Sequence, residues 1–306
     1  MQLFVVILGL IGLLAMPGLW RAVRGTTLVA PWCWALASGL VVLAVAIQGA
    51  SEPLLNYSAA ITTLLPTAAI YGAKRPQDRG WQWIVAALLV MLFWPAGESW
   101  LLEHSFNLTA QPLRSWFLVV LLAVQCGNWI VTINSGPVLL MTAAQAAMLW
   151  PQLPWADRRA DVQSWFYGAA LLAAVPWWLA SNMRCANRSF EPEVKAAFPS
   201  PREIAAWQRF RAAYGVVWAL RVTERINEVA KLRRWPWLWA WSGPTPNEQI
   251  LGTSESEPLI ALQEPTERIV WQQLWQNIFR RFLDTAKFPA VELPEMQSPV
   301  AEVPVP

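Results

Sequence analysis

Residues 115–156 read SWFLVVLLAVQCGNWIVTINSGPVLLMTAAQAAMLWPQLPWA, a stretch of 42 residues without a charged side chain. A helix needs roughly 20 apolar residues to cross the hydrocarbon core of a bilayer, so this stretch is long enough for two crossings. An Asn-Ser-Gly-Pro turn at 134–137 divides it into equal halves. The stretch therefore predicts a pair of membrane-spanning helices joined by a short turn.

The rest of the N-terminal part has the same character. Apolar residues make up 56% of the 306 residues and charged residues 14%, against about 45–50% and about 25% in soluble domains. Each of the charge-free runs 1–20, 25–51, 53–73, 80–97 and 162–183 is long enough for one crossing. We predict an all-α, polytopic membrane bundle of about seven transmembrane helices in residues 1–183, with spans near 2–19, 27–47, 54–72, 81–97, 115–133, 138–154 and 162–181.

The distribution of Lys and Arg gives the orientation, since cytoplasmic loops carry an excess of these residues. With seven spans, nine cations flank one side and three the other; without the short sixth span the division is seven against five. Seven spans therefore fit better, with the N-terminus outside and the C-terminus in the cytoplasm. We expect a multi-pass protein of the cell (inner or plasma) membrane.

Residues 184–306 have a different composition and carry 29 of the 43 charged residues. We divide them into a basic amphipathic helix with a Trp-rich segment (184–243), a linker (244–264), a second amphipathic helix (265–287) and a disordered tail rich in Pro and Glu (288–306). The first helix begins with Ser-Pro-Arg-Glu at 200–203, and its apolar stripe steps by three or four residues through Trp207, Phe210, Tyr214, Trp218, Val222, Ile226 and Val229.

The Trp-rich segment follows the basic helix directly. It is too short to cross a bilayer, but indole and guanidinium groups suit the headgroup region of an anionic leaflet. We interpret it as a membrane-interface anchor made of Arg233, Arg234, Trp235, Trp237, Trp239 and Trp241. The alternative is that these Trp residues pack in a small core of the tail or beneath the bundle.

Few polar residues lie deep in the predicted spans. Gln125, Asn128 and Thr132 share one face of span five, and Thr142 and Gln145 lie three residues apart on span six. Buried amides in lipid need partners, so hydrogen bonds between these two spans are the simpler interpretation. The functional alternative is a neutral polar pocket for a lipid headgroup or a small solute. In either case we expect Gln125 and Asn128 to face the interior.

The sequence disfavours several chemistries. A single His cannot form a bis-His haem site or an H-E-x-x-H zinc site, and Cys33, Cys126 and Cys185 form no C-x-x-C pair. The glycine-rich phosphate-binding motifs do not occur in the sequence. No predicted span contains an ionisable side chain of the kind that proton-coupled transport requires. We therefore expect no metal and no cofactor.

Glu98, Glu103 and His104 are weak candidates for acid–base catalysis, because a carboxylate beside a His can move protons. They lie in a predicted outer loop, where charged residues are usually only solvated. We therefore favour a non-enzymatic scaffold, assembly or regulatory protein whose cytoplasmic tail docks on the lipid bilayer or on another membrane protein, with no nucleic-acid partner. The alternatives are a facilitator or carrier of a neutral or lipid-like solute, and a membrane enzyme acting on lipid or glycan at the outer face.

Overall fold

The structure is a computed structural model that describes residues 2–49, 52–75, 77–101, 112–155, 166–170, 201–247 and 265–282. Most of these residues are helical, so the prediction of an all-α fold is confirmed. We refer to the helices before residue 171 as the apolar bundle, and to residues 201–247 and 265–282 as the tail domain.

The helices of the apolar bundle follow the charge-free runs of the sequence. In chain order they are α1 (Gln2–Val23), α2 (Val29–Gln48), α3 (Pro53–Thr62), α4 (Leu65–Ile70), α5 (Asp78–Leu101), α6 (Pro112–Trp129) and α7 (Ser135–Met148), then a 3-10 helix (Trp150–Gln152) and a helical stretch at 166–170. Three helices are long and apolar enough to cross a membrane, over Gln2–Trp20, Val29–Gln48 and Asp78–Glu98. The prediction of seven such helices is therefore wrong for the described part of the chain.

A break divides the predicted span at 54–72. α3 ends at Thr62 and α4 begins at Leu65. Pro66, in the first turn of α4, has no N–H group for the carbonyl four residues earlier, so a continuous helix cannot keep all its hydrogen bonds here. The hydroxyls of Thr62 and Thr63 donate to carbonyls of the preceding turn (2.8 and 2.6 Å). Two short helices therefore replace one continuous span.

The predicted sixth and seventh spans also differ from the structure. α7 has 14 residues, and Pro151 lies in the 3-10 helix that follows it, so no continuous helix covers 138–154. Of the seventh span, only 166–170 lies within the described residues, and this stretch is helical. The predicted fifth span corresponds to α6, which ends at Trp129.

α3 and α4 lie at the centre of the apolar bundle. Tyr57, Ala59, Ala60 and Ile61 in α3 are fully buried, as is Ala69 in α4. α2, α5 and α7 pack around these two helices. Small side chains let the neighbouring helices approach closely. The break between α3 and α4 is thus surrounded by protein, which is where an apolar bundle can accommodate non-helical backbone.

The tail domain consists of α8 (Pro201–Leu232), a β-hairpin and α9 (Pro265–Phe279). The hairpin pairs β1 (Trp237–Trp239) with β2 (Pro244–Pro246) in antiparallel register. Since β2 belongs to this fold, the predicted start of a linker at 244 is wrong.

The side chain of Asn227 attaches the hairpin to α8. Its amide nitrogen donates to the Trp239 carbonyl (2.9 Å), and its amide oxygen accepts the Trp239 N–H (2.6 Å). One residue of α8 thereby satisfies both backbone groups of a β1 residue, as a neighbouring strand would do.

Tryptophan rings fill the core of the tail domain. Trp207, Trp239 and Trp271 are at most 1% exposed. Trp237 meets Trp271 edge to face (5.1 Å between ring centroids, 88° between planes), and Trp239 meets Trp275 in a similar way (5.5 Å, 61°). Such aromatic pairs contribute roughly 0.5–1.5 kcal/mol each beyond the area that they bury. α9 therefore completes a core formed with α8 and the hairpin.

The interpretation of the Trp-rich segment as a membrane anchor is wrong for three of its four indoles. Trp235, Trp237 and Trp239 are 2%, 7% and 1% exposed, because they pack in the tail core. Trp241 is half-buried, and the Arg211 guanidinium carbon lies 3.9 Å from its ring centroid. These side chains pack within the tail, which is the alternative interpretation of the segment.

The two arginines of the same segment face solvent. Arg233 and Arg234 are both exposed, and Arg234 adopts a positive φ of 55° where the chain leaves α8 for the hairpin. Arg233 lies 3.7 Å from the Glu267 carboxylate, which also accepts a hydrogen bond from the Trp235 indole (2.8 Å). The arginines therefore lie on the outer surface above a buried aromatic core.

Candidate functional site at the junction of bundle and tail

Two amide side chains of α6 lie in the interior and contact different parts of the structure. Gln125 and Asn128 are each 3% exposed, and Thr132, just beyond the helix, is 6% exposed. Their spacing of three and four residues places them on one face. In α7, Gln145 is 1% exposed and Thr142 is half-buried.

Gln125 is the centre of a hydrogen-bond network between helices. Its Nε2 donates to Gln145 Oε1, and its Oε1 accepts the Thr67 hydroxyl (2.7 Å). Gln145 Nε2 in turn donates to the Thr63 carbonyl (2.8 Å), which lies at the break between α3 and α4. The network therefore joins α4, α6 and α7 and satisfies a carbonyl that the break exposes. Interhelical hydrogen bonds of this kind contribute roughly 0.6–2 kcal/mol each.

Thr132 and Thr142 lie outside this network. The Thr132 hydroxyl donates to the Trp129 carbonyl (2.7 Å) and accepts the Asn134 N–H (3.2 Å), so it closes the turn between α6 and α7. The Thr142 hydroxyl has no hydrogen-bond partner within the described residues. The polar face predicted from the sequence thus divides into residues with separate structural contacts.

The amide of Asn128 binds a kink in the tail domain. At Gly215 the backbone of α8 is not helical (φ 78°, ψ −172°), so the hydrogen-bond ladder is interrupted there. Asn128 Oδ1 accepts the Val217 N–H (3.0 Å), and Asn128 Nδ2 donates to the Tyr214 carbonyl (3.4 Å). One side chain of the apolar bundle therefore supplies a partner on each side of the kink.

This contact requires glycine at position 215. The combination of φ and ψ at Gly215 is accessible essentially only to glycine. A Cβ atom there would lie 2.2 Å from Asn128 Nδ2 and 2.7 Å from the Asn128 carbonyl oxygen. A glycine inside the apolar stripe of a helix is the sequence signal for such a close approach. Asn128, which contacts this glycine, is distant in the chain, and the sequence around it does not indicate the contact.

Three connections of the apolar bundle contact the tail domain. After α1, the Thr27 N–H donates to the Phe282 carbonyl (2.9 Å). At the end of α4, the Ile70 carbonyl accepts the Trp218 indole N–H (2.9 Å). After α6, the Asn134 side chain donates to a carbonyl of α8 (2.9 Å). The tail domain therefore packs against the end of the bundle at which these three connections meet.

Tyr214 is buried in this contact, and its role there was not predicted from the sequence. Its hydroxyl lies 3.1 Å from Thr27 Oγ1 and donates to the Phe282 carbonyl (3.2 Å). Thr27 Oγ1 donates to the Ala73 carbonyl (2.7 Å). Burial raises the pKa of Tyr214 to about 12, and the hydrogen bond with Thr27 opposes this rise only in part. The hydroxyl therefore stays protonated in the docked tail at neutral pH.

The described residues provide little support for a catalytic site. Glu98, near the end of α5, is exposed, and Glu103 and His104 lie outside the described residues. Within those residues, no three His, Cys, Asp or Glu side chains are grouped so as to hold a metal ion. The polar groups that do converge form a structural junction between the bundle and the tail domain.

Comparisons with known proteins give no match from which a function could be inferred. No protein-family model matches the sequence, and neither a curated protein nor a solved structure is detectably similar to it. The junction described above is therefore the basis for a functional proposal.

We expect Gly215→Ala to loosen the tail domain from the apolar bundle. The substitution places alanine in a glycine-only conformation, at a cost of roughly 1–3 kcal/mol before any overlap with Asn128. Hydrogen–deuterium exchange of the full chain in detergent micelles should be faster across 201–232. The matched control is Gly127→Ala, because a Cβ at Gly127 meets no other atom within 4 Å. Equal exchange in the two variants would contradict the role of the kink.

The buried Tyr214 hydroxyl predicts that the folded chain loses stability at high pH. The pKa of Tyr214 is raised from 10.0 to about 12, so between these values the unfolded chain loses a proton that the folded chain keeps. The contribution, about 2–3 kcal/mol, is fully present below pH 10 and is lost as the pH rises through about 12.

Tyrosinate absorbance, taken as the difference between the wild type and Tyr214→Phe, measures this pKa. We expect a midpoint near 12 in the native protein and near 10.0 after denaturation. A midpoint near 10.0 in both states would show that the hydroxyl is accessible to water.

Proposed function

We propose that the chain is a multi-pass integral protein of the cell (inner or plasma) membrane, without catalytic activity, and that its cytoplasmic tail domain has a scaffold, assembly or regulatory role. The observation that carries this proposal is the junction at Asn128. Because α8 is held on the apolar bundle by side-chain and backbone hydrogen bonds, the tail domain presents a fixed surface beside the bundle. A fixed, folded surface is what a docking platform requires.

The outer surface of the apolar bundle supports the membrane part of the proposal. Leu14, Trp83 and Leu113 are 77%, 80% and 84% exposed, although the helices that carry them bury other apolar residues. Soluble proteins rarely leave such large apolar side chains in contiguous exposed patches. In a bilayer these side chains would contact lipid instead of water. We propose that α6, which is not among the three candidate spans but carries Leu113, crosses the membrane as well.

The contacts of the tail domain support the proposed orientation. The three connections that contact it, after α1, α4 and α6, are those that would share one side of the membrane if α3 and α4 crossed together. The Lys and Arg bias assigns that same side to the cytoplasm. We therefore place the N-terminus outside and the C-terminus inside the cell.

Reporter fusions test this orientation. A fluorescent protein fused after Pro306 should fold and fluoresce, whereas alkaline phosphatase at the same position should be inactive because it remains in the cytoplasm. The matched control places each reporter at 50–51, between α2 and α3, where the pattern should be reversed. Active phosphatase after Pro306 would contradict the proposed topology.

The surface of the tail domain indicates what it docks on. Most of its exposed charged side chains in the described residues are cations. The exposed acids are Glu224 and Glu228. The exposed cations are Arg209, Arg221, Arg225, Lys231, Arg233, Arg234, Arg280 and Arg281. A surface of this sign attracts anionic headgroups or the acidic surface of a partner. We propose that this surface, and not the buried indoles, makes the docking contact.

Crosslinking in intact membranes tests the docking role. In a variant with Lys231, Arg233 and Arg234 replaced by Gln, we expect fewer crosslinks to lipid and to neighbouring proteins, because the attractive charge is removed. A control variant with Glu224 and Glu228 replaced by Gln changes the same surface in the opposite sense and should keep or increase its crosslinks. If both variants gave the wild-type set, the proposal would fail.

A second candidate function is the facilitated movement of a neutral or lipid-like solute. The break between α3 and α4, with the Gln125 network beside it, favours this function, because discontinuous helices often form the binding sites of membrane transporters. Against it, Gln125 and Gln145 bond to groups of the protein itself and fix the helices relative to one another. We therefore rank this function second.

A further inference from the structure

A groove of about 380 Å³ lies between the tail domain and the apolar bundle. One wall belongs to the turn after α4 and the start of α5, and the other belongs to α8 beyond its kink. The residues that the groove brings together are Tyr71, Gln77 and Trp81 on the first wall and Val217, Trp218 and Arg221 on the second. The groove therefore exists only when α8 is docked.

Two cations lie near one indole ring of this groove: Arg221, which lines the groove, and Lys74, which lies beside it. The Arg221 guanidinium carbon lies 5.0 Å from the centroid of the Trp218 ring, and the Lys74 ammonium lies 5.9 Å from it. Burial and the nearby Arg281 and Arg221 lower the pKa of Lys74. The backbone carbonyl of Arg281 accepts the N–H of Arg75, which fixes this end of the tail domain beside the turn (2.9 Å). Positive charges from two parts of the chain thus lie near enough to one another to lower the pKa of Lys74.

No acidic side chain balances these cations within the described residues. The ion pairs found there are Arg225 with Glu228 (2.6 Å) and Arg233 with Glu267 (3.7 Å), both elsewhere on the tail domain. Asp78, the acid nearest in sequence to Lys74, lines a different cavity beside α2. Holding like charges together is unfavourable unless an anion lies between them.

We propose that the groove binds a phosphate group, with Arg221 and Lys74 as its cationic ligands. Guanidinium and ammonium groups are the side chains that bind phosphate oxygens best, through charge-assisted hydrogen bonds. Apolar surface lies directly beside the charged groups, in Trp81, Val217 and the ring of Trp218. A phosphate joined to acyl chains would match both parts, so an anionic phospholipid is one source and free phosphate is the other.

The binding experiment uses the full chain in maltoside micelles, which contain no phosphate. The thermal unfolding midpoint is measured with added phosphatidylglycerol, with inorganic phosphate, and with diacylglycerol as the same lipid without phosphate. We expect phosphatidylglycerol to raise the midpoint of the wild type and diacylglycerol not to do so. A rise with inorganic phosphate of the same size would assign the site to free phosphate, and no rise with either phosphate compound would overturn the proposal.

Two variants on one helix separate the groove from general charge attraction. Arg221→Gln should weaken phosphatidylglycerol binding roughly tenfold or more, as expected for the loss of one charge-assisted hydrogen bond. Arg225→Gln removes the same charge one turn further along α8, at a side chain that is 67% exposed and belongs to the general docking surface, so it should weaken binding far less than Arg221→Gln does. Equal weakening in the two variants would overturn the proposal.

A third variant, Lys74→Gln, tests whether weaker binding could arise from loss of folding instead of loss of a ligand. Without phosphate, Lys74→Gln should be at least as stable as the wild type, because the repulsion from Arg221 and Arg281 is removed. With phosphatidylglycerol, its midpoint should rise less than that of the wild type. If Lys74→Gln responded to phosphatidylglycerol as the wild type does, Lys74 would not be a ligand and the proposed site would be wrong.

Discussion

The fold depends on one constraint: the backbone at Gly215 must find hydrogen-bond partners inside an apolar interior. A helix that kinks there exposes an N–H and a carbonyl, and leaving either one unpaired would cost roughly 1–3 kcal/mol. Asn128 satisfies both, at Val217 and Tyr214. Because these bonds come from α6, the position of the tail helix is fixed relative to the apolar bundle. The contacts of Tyr214 with Thr27 and of Trp218 with Ile70 depend on that position.

The sequence predicted well what depends on local pattern. Uninterrupted apolar runs became the long helices α1, α2 and α5, and the spacing of Gln125 and Asn128 placed both on one interior face. It predicted less well where a single residue changed the backbone, as Pro66 and Pro151 did. It also could not separate two uses of tryptophan, since an interface anchor and a compact aromatic core need the same residues. Burial depends on α9, which is distant in the chain from the segment that it covers.

The two amides of α6 have different physical roles despite their spacing of one turn. Gln125 joins helices within the apolar bundle and satisfies a carbonyl at the break between α3 and α4. Asn128 joins the bundle to the tail domain. α6 therefore carries one polar contact with the centre of the bundle and one with the tail domain.

Ligand binding in the groove is linked thermodynamically to docking of the tail domain. Its two walls come from different parts of the chain, so a phosphate group that contacts both Lys74 and Arg221 binds the docked tail and not the undocked one. Such a ligand stabilises the docked state by RT ln(1 + [L]/Kd), about 2.7 kcal/mol when its concentration is a hundredfold above Kd. Docking strengthens binding by the same factor, since linkage is reciprocal. The charge that makes the empty groove unfavourable would then make the position of the tail domain responsive to anionic lipid or free phosphate.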